Sequence, residues 1–150
     1  MAVSGQQQNN IWLGKEVDRI RAGNSYFRSA CRGYLPQQER YADLTVNSMY
    51  LFDRRSLESE SSPERRDELK GKMAAAGFEA RLLKENISYV ESAFERIERK
   101  CGRKARGLLW ENYVEGVPIR EIAGKENMSE RGVMRRFGSW LKEAGIIDGN

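Results

Sequence analysis

The sequence predicts an all-α chain: a helical N-terminal platform with a long middle helix, then a C-terminal helix-turn-helix. Three observations predict it. Apolar residues recur at intervals of three and four along most of the 150 residues, which is the spacing of one helix face. No stretch alternates apolar and polar residues as a half-buried strand would. Glycines and prolines fall where helices can begin or end.

Residues 1–10, MAVSGQQQNN, lack periodicity and are expected to be disordered. The platform is drawn over 11–101. Its first helix is expected at 11–21, with Ile11, Val17 and Ile20 turned inward and Gly23-Asn24-Ser25 closing it. A short helix around Tyr26, Phe27 and Cys31 follows, broken by Gly33 and Pro36. A longer one is expected from Pro36 to Leu57, where Tyr41, Leu44, Ser48, Leu51 and Phe52 share a face. The stretch SESSP, 59–63, reads as an exposed turn, with Ser62 capping a helix opened by Pro63.

The middle helix, from Glu64 or Met73 to Lys100, carries a regular seam. Ala76, Ala80, Leu83, Ile87, Val90, Phe94, Ile97 and Cys101 step by four and three without a miss. Such a seam has two readings. It packs against the apolar stripes of 11–21 and 36–57 within the chain, or it joins two chains as a homodimer through 76–101.

The last segment, 102–147, carries the functional signal. In IREIAGKENMSERGVMRRFGSWLKEA, 119–144, Pro118 suits the start of a short helix whose Ile119, Ile122 and Ala123 share one side. Asn127 tolerates a left-handed turn, Met128 plugs the turn from beneath, and Ser129 is an N-cap. Val133, Phe137, Trp140, Leu141 and Ala144 bury one face of the second helix. The other face keeps Arg131, Arg135, Ser139 and Lys142, with Arg136 near its border. A short helix bracing a longer one is how many proteins place side chains in the DNA major groove.

These residues resemble the fourth region of bacterial sigma factors, the helix-turn-helix that reads the minus-35 promoter element. Glu121-Ile122-Ala123, Met128-Ser129-Glu130, Val133 and Arg136-Phe137 match its register. Upstream, Leu108, Leu109, Tyr113, Gly116 and Pro118 look like its leading helix and corner. The likeness covers 103–144, under a third of the chain. Glu126 stands where that family commonly has an apolar residue, and Asn127 where it has glycine.

Roles follow from position on the two helices. Ser129, Glu130, Arg131, Arg135 and Ser139 are the candidates for base reading: arginine pairs bidentately with guanine, and glutamate accepts from cytosine. Arg103, Lys104, Arg106, Arg120, Lys125 and Arg136 are the candidates for phosphate contacts, which hold the protein on DNA without reading sequence. Gly132 either lets the backbone approach DNA or is a tolerated small residue. Trp110, Phe137 and Trp140 read as core.

Composition narrows the function. Charged residues make up 32% and mean hydropathy is −0.72, so much of the chain is surface. No apolar run approaches the ~20 residues that cross a bilayer. No histidine is present, and Cys31 and Cys101 have no nearby cysteine. No metal site, cofactor or enzymatic chemistry is therefore expected, and two lone cysteines suit a reducing cytoplasm. The net charge is only +4, so the positive charge that DNA requires must be local rather than global.

The layout as a whole resembles the ArpU/RinA-type late-gene activators of phages and prophages. These are short helical proteins with a charged N-terminal part, a long middle helix and a sigma-like C-terminal motif. The run AFERIERKCGRKARGLLWENY, 93–113, looks like that group's passage from middle helix to DNA-binding part. The resemblance implies transcription regulation on double-stranded promoter DNA, with RNA polymerase as a further partner. Two alternatives stay open: a DNA-packaging or assembly protein such as a small terminase subunit, and a polymerase-binding adaptor that reads no DNA.

Overall fold

The computed structural model describes residues 5–45 and 55–148, with side chains from residue 23 onward. Among the described residues it is predominantly helical, with no strand. In chain order the elements are α1, Gly5–Thr45; a helical segment over 55–59, α2; α3, Pro63–Cys101; α4, Arg103–Tyr113; α5, Ile119–Glu126; and α6, Glu130–Glu143. No described helix is long and apolar enough to cross a membrane.

The ends of these elements have local causes. Helix α1 is interrupted at Gly23, whose φ of 64° and ψ of −136° lie outside the helical region, a backbone that glycine reaches without steric cost. Pro63 opens α3, and the Arg65 amide donates to the Ser62 hydroxyl at 3.5 Å, the outer limit for a cap. Gly102, at φ 98°, separates α3 from α4.

Two sequence expectations about α1 are corrected. Residues 5–10 are helical rather than irregular, and glutamine, which fills positions 6–8, is a good helix former. Gly33 and Pro36 do not break the chain either: the helix runs through both to Thr45. Proline removes one backbone hydrogen bond, but the neighbouring turns are anchored by side chains, as described next. Ser48, Leu51 and Phe52 lie outside the described residues, and Ile11, Val17 and Ile20 lie outside the described side chains.

The chain divides into two compact units. In the first, Gly33–Tyr89, the last turns of α1 lie beside α3. The Arg40 guanidinium grips both Glu79 carboxylate oxygens at 2.9 and 3.2 Å, and this hydrogen bonding holds the Glu79 carboxyl below its usual range. The Asn86 amide donates to Gln37, and the Lys84 ammonium sits over the Tyr41 ring at 5.4 Å. Tyr34, Leu44, Leu69, Ala80 and Ile87 are buried.

The second unit joins Met1–Arg32 to Val90–Asn150. A run of rings forms its centre. Phe27 of α1 meets Phe94 of α3 at 5.6 Å and Tyr113 of α4 at 5.0 Å. Trp110 stands edge-on to Phe94 at 5.0 Å. Tyr113 leads to Phe137 at 6.3 Å, and Phe137 to Trp140 at 6.0 Å. Tilted and edge-on pairs at these separations are favourable beyond the area they bury. Cys31 is wholly buried, and burial pushes its thiol up to about 12.

The seam of α3 is filled from within the chain. Ala80, Ile87, Val90, Phe94 and Ile97 are buried, most of them completely. Ala76, Leu83 and Cys101 of the same seam are half-buried.

Candidate nucleic-acid interface

Helices α4, α5 and α6 pack on one another, and each junction has an identifiable lock. After α4 the chain turns at Gly116, φ 80°. The Asn112 amide donates to the Val117 carbonyl at 2.8 Å, and the Val117 amide to the Glu111 carbonyl at the same distance. Pro118 occupies the cap position of α5, one residue before its first turn. Asn127 ends α5 in the left-handed region, φ 54° and ψ 44°, one of the few residue types that accept it. The Met128 amide then donates to the Ala123 carbonyl at 3.0 Å.

Ser129 caps α6: its hydroxyl accepts from the Gly132 amide at 3.0 Å. Gly132 has a definite reason in this geometry. A Cβ there would stand 3.1 Å from the Ser129 hydroxyl and 3.2 Å from the Met128 methyl. The space is taken by the cap of its own helix, which neither sequence reading of Gly132 foresaw.

The inward face of α6 is fixed by Val133, Phe137 and Leu141, each at most 4% exposed. With that face locked, the others point out. Ser129, Glu130, Arg131, Arg135 and Ser139 are all exposed, as are Arg136 and Lys142. The five base-reading candidates therefore lie along the start and outward side of one helix.

The phosphate candidates divide into two sets. Lys104 meets Glu126 at 2.9 Å, and Lys125 grips both oxygens of Glu111 at 2.8 Å. Arg106 and Arg103 share Glu98, at 2.5 and 3.4 Å. These four cations have carboxylate partners inside the chain. Arg120 and Arg136, by contrast, have no ion-pair partner among the described residues, and the same holds for Arg131, Arg135 and Lys142. Within residues 103–144, the cations without an ion-pair partner lie on α6 and the first turn of α5.

The Lys104 contact also accounts for Glu126. Where an apolar residue was expected, the carboxylate reaches the edge of the core and is held there by a lysine, its side chain 20% exposed. A charge in that position is acceptable because it is paired.

Two further residues belong to this surface and were not foreseen. Met134 is 61% exposed, three residues after Arg131 and four before Gly138, so it shares their side of α6. Its signal was present in that spacing, and the sequence reading left it out. Arg28 comes from α1, 85 positions away from Tyr113 in sequence, so no local pattern could place it. Its guanidinium carbon lies 4.2 Å from the Tyr113 ring centroid, while the Tyr113 hydroxyl donates to Asn24. Asn24, Arg28, Ile119, Met134 and Leu141 line a cleft of about 170 Å³ beside α6.

The helix-turn-helix thus rests on more than residues 102–147, because α1 and the end of α3 complete its core through Phe27 and Phe94. The chain matches no protein-family model, no curated protein and no solved structure.

Proposed function

We propose that the protein is a sequence-specific regulator of transcription that reads double-stranded promoter DNA with α6. One observation carries the reading. The outward side of α6 holds Arg131, Arg135 and Arg136 exposed and without ion-pair partners among the described residues, while every cation of α4, and Lys125 of α5, is paired. An unpaired arginine row on the second helix of a locked helix-turn-helix suits a groove lined with phosphates and base edges.

In this reading Arg131 and Arg135 pair with guanine O6 and N7, each contributing roughly 1–3 kcal/mol of discrimination. Glu130 accepts from cytosine, and Ser129 and Ser139 bond to neighbouring edges. Met134 offers the apolar contact that a thymine methyl favours. Arg120 and Arg136 neutralise phosphates, with Arg103, Lys104, Arg106 and Lys125 contributing less because their own carboxylates compete. The resemblance to phage late-gene activators gives the biological setting: a late promoter, with RNA polymerase recruited alongside.

Selection of bound fragments from a random double-stranded DNA pool tests the proposal. A recurrent motif is expected, and it should disappear with the Arg131→Ala, Arg135→Ala double variant. Retention of DNA with no enriched sequence would overturn sequence-specific reading. Failure to retain any DNA while the protein captures RNA polymerase would favour the adaptor.

A further inference from the structure

Helix α3 is apolar on two opposite sides. Leu69 and Ile87 are buried, 2% and 3% exposed, and each lies nine residues from Phe78. Nine residues are two and a half helical turns, so Phe78 stands directly opposite them. It is 58% exposed, and Leu82, one turn on, is 53% exposed. Gly71, Ala74 and Ala75 on the same side are also exposed. A large aromatic and a leucine, with small residues one and two turns away, make an apolar stripe that solvent does not favour.

We propose that this stripe joins two copies of the chain, packed antiparallel about a two-fold axis at Phe78. Such an axis brings residues equally far on either side of Phe78 face to face. Leu82 then meets the partner's Ala74, a large side chain over a small one. Glu85 meets the partner's Gly71, one residue from the partner's Lys70, so an acid lies near a base rather than opposite its own copy. Asp67 meets the partner's Tyr89, a carboxylate beside a phenolic hydroxyl. Glycine and alanine also let the two backbones approach closely. A parallel pairing in register loses every one of these matches: Asp67 would face Asp67 and Glu85 would face Glu85, and like charges directly opposed are destabilising. The charge pattern therefore selects the antiparallel dimer, whose self-complementary contact is the usual form of a two-fold interface.

The contact is separate from the DNA-reading surface, since it uses α3 between Asp67 and Tyr89 and no residue of α6. It does bear on DNA. A two-fold dimer carries two α6 helices, and dimeric helix-turn-helix proteins read inverted half-sites.

Sedimentation of the full chain tests it. A species near twice the 17.2 kDa chain mass is expected at protein concentrations of about 100 μM, enough to populate a dimer with a dissociation constant of ~10 μM. Phe78→Asp and Leu82→Asp should each give the monomer with unchanged helical circular dichroism, because both side chains are exposed in the single chain. A monomeric wild-type chain, or a dimer unmoved by either substitution, would overturn the proposal. Cross-linking fixes the direction, in a Cys101→Ser background. Phe78→Cys should oxidise to a disulfide-linked dimer. Leu82→Cys should not, because its partner copy lies eight residues, ~12 Å, further along the helix. Ready cross-linking at both positions would mean a parallel pair and sink the antiparallel arrangement.

Discussion

Lys104 and Glu126 meet at 2.9 Å, tying the first turn of α4 to the last residue of α5. The pair holds the bracing helix of the motif in place, and in the proposed function it removes one cation from the pool available to DNA. A double-mutant cycle with Lys104→Met and Glu126→Gln should return a coupling of about 0.5–1 kcal/mol in denaturant unfolding, toward the upper end for a surface pair because Glu126 is mostly covered. A coupling indistinguishable from zero would mean that the contact holds nothing.

Arg135→Ala should weaken binding to the selected DNA site by about 5- to 150-fold, the equivalent of 1–3 kcal/mol, and binding to unrelated DNA far less. Titrating both duplexes at one salt concentration makes the comparison. Equal losses on the two would reduce Arg135 to a phosphate contact.

Arg120→Ala and Arg136→Ala should lower affinity on all sequences alike. Each should also flatten the dependence of log affinity on log salt by about one. Lys125→Ala should change that slope less, because Glu111 already neutralises Lys125. A Lys125 effect as large as that of Arg120 would contradict the division into paired and unpaired cations.

The α6 cap gives a stability test with a reversal in it. Ser129→Ala should cost about 1 kcal/mol. Gly132→Ala, which in an exposed helix would stabilise by about 1 kcal/mol, should yield little in the native chain, since its methyl would press on the Ser129 hydroxyl and Met128. In the Ser129→Ala background more of that gain should return. Identical effects of Gly132→Ala in both backgrounds would show that the close approach is relieved without cost.

Alkaline conditions should expose the buried thiol of Cys31. Its folded value of about 12 lies above the ordinary 9.0, so the folded state holds the proton more tightly than the unfolded chain does. The stabilisation is complete below about pH 9 and is lost as pH rises from there toward 12, on the order of 4 kcal/mol in all. Cys31→Ala should flatten this alkaline fall in a pH series of melting temperatures, once its own packing loss is subtracted. An unchanged slope would assign the fall to other groups, Tyr113 first, since burial also raises its phenol.

Much of this molecule was legible in the sequence where interactions are local. The left-handed Asn127, the Ser129 cap, the glycine break at 23 and the inward face of α6 all depend on residues within a turn or two, and each is read from spacing and residue type; Gly116 came only with the resemblance. The continuous helix through Gly33 and Pro36 was misread because propensity favours a break there; the ties that override it, Arg40 to Glu79 and Gln37 to Asn86, span 39 and 49 positions. The seam of α3 was visible, but its occupant was not, because an apolar stripe carries no mark of what covers it. At the interface, the sequence named the cations. Which of them are already neutralised depends on Glu98, Glu111 and Glu126 being folded onto them, and Arg28 reaches the site only through tertiary packing.

The unpaired arginines of α6 also set how the protein responds to ions. Lying within a few turns of one another without internal counter-charge, they repel, and dissolved salt relieves that repulsion in the free protein. In the proposed DNA complex the same salt competes for the phosphates. Raising ionic strength should thus relieve the repulsion along α6 while loosening the proposed complex.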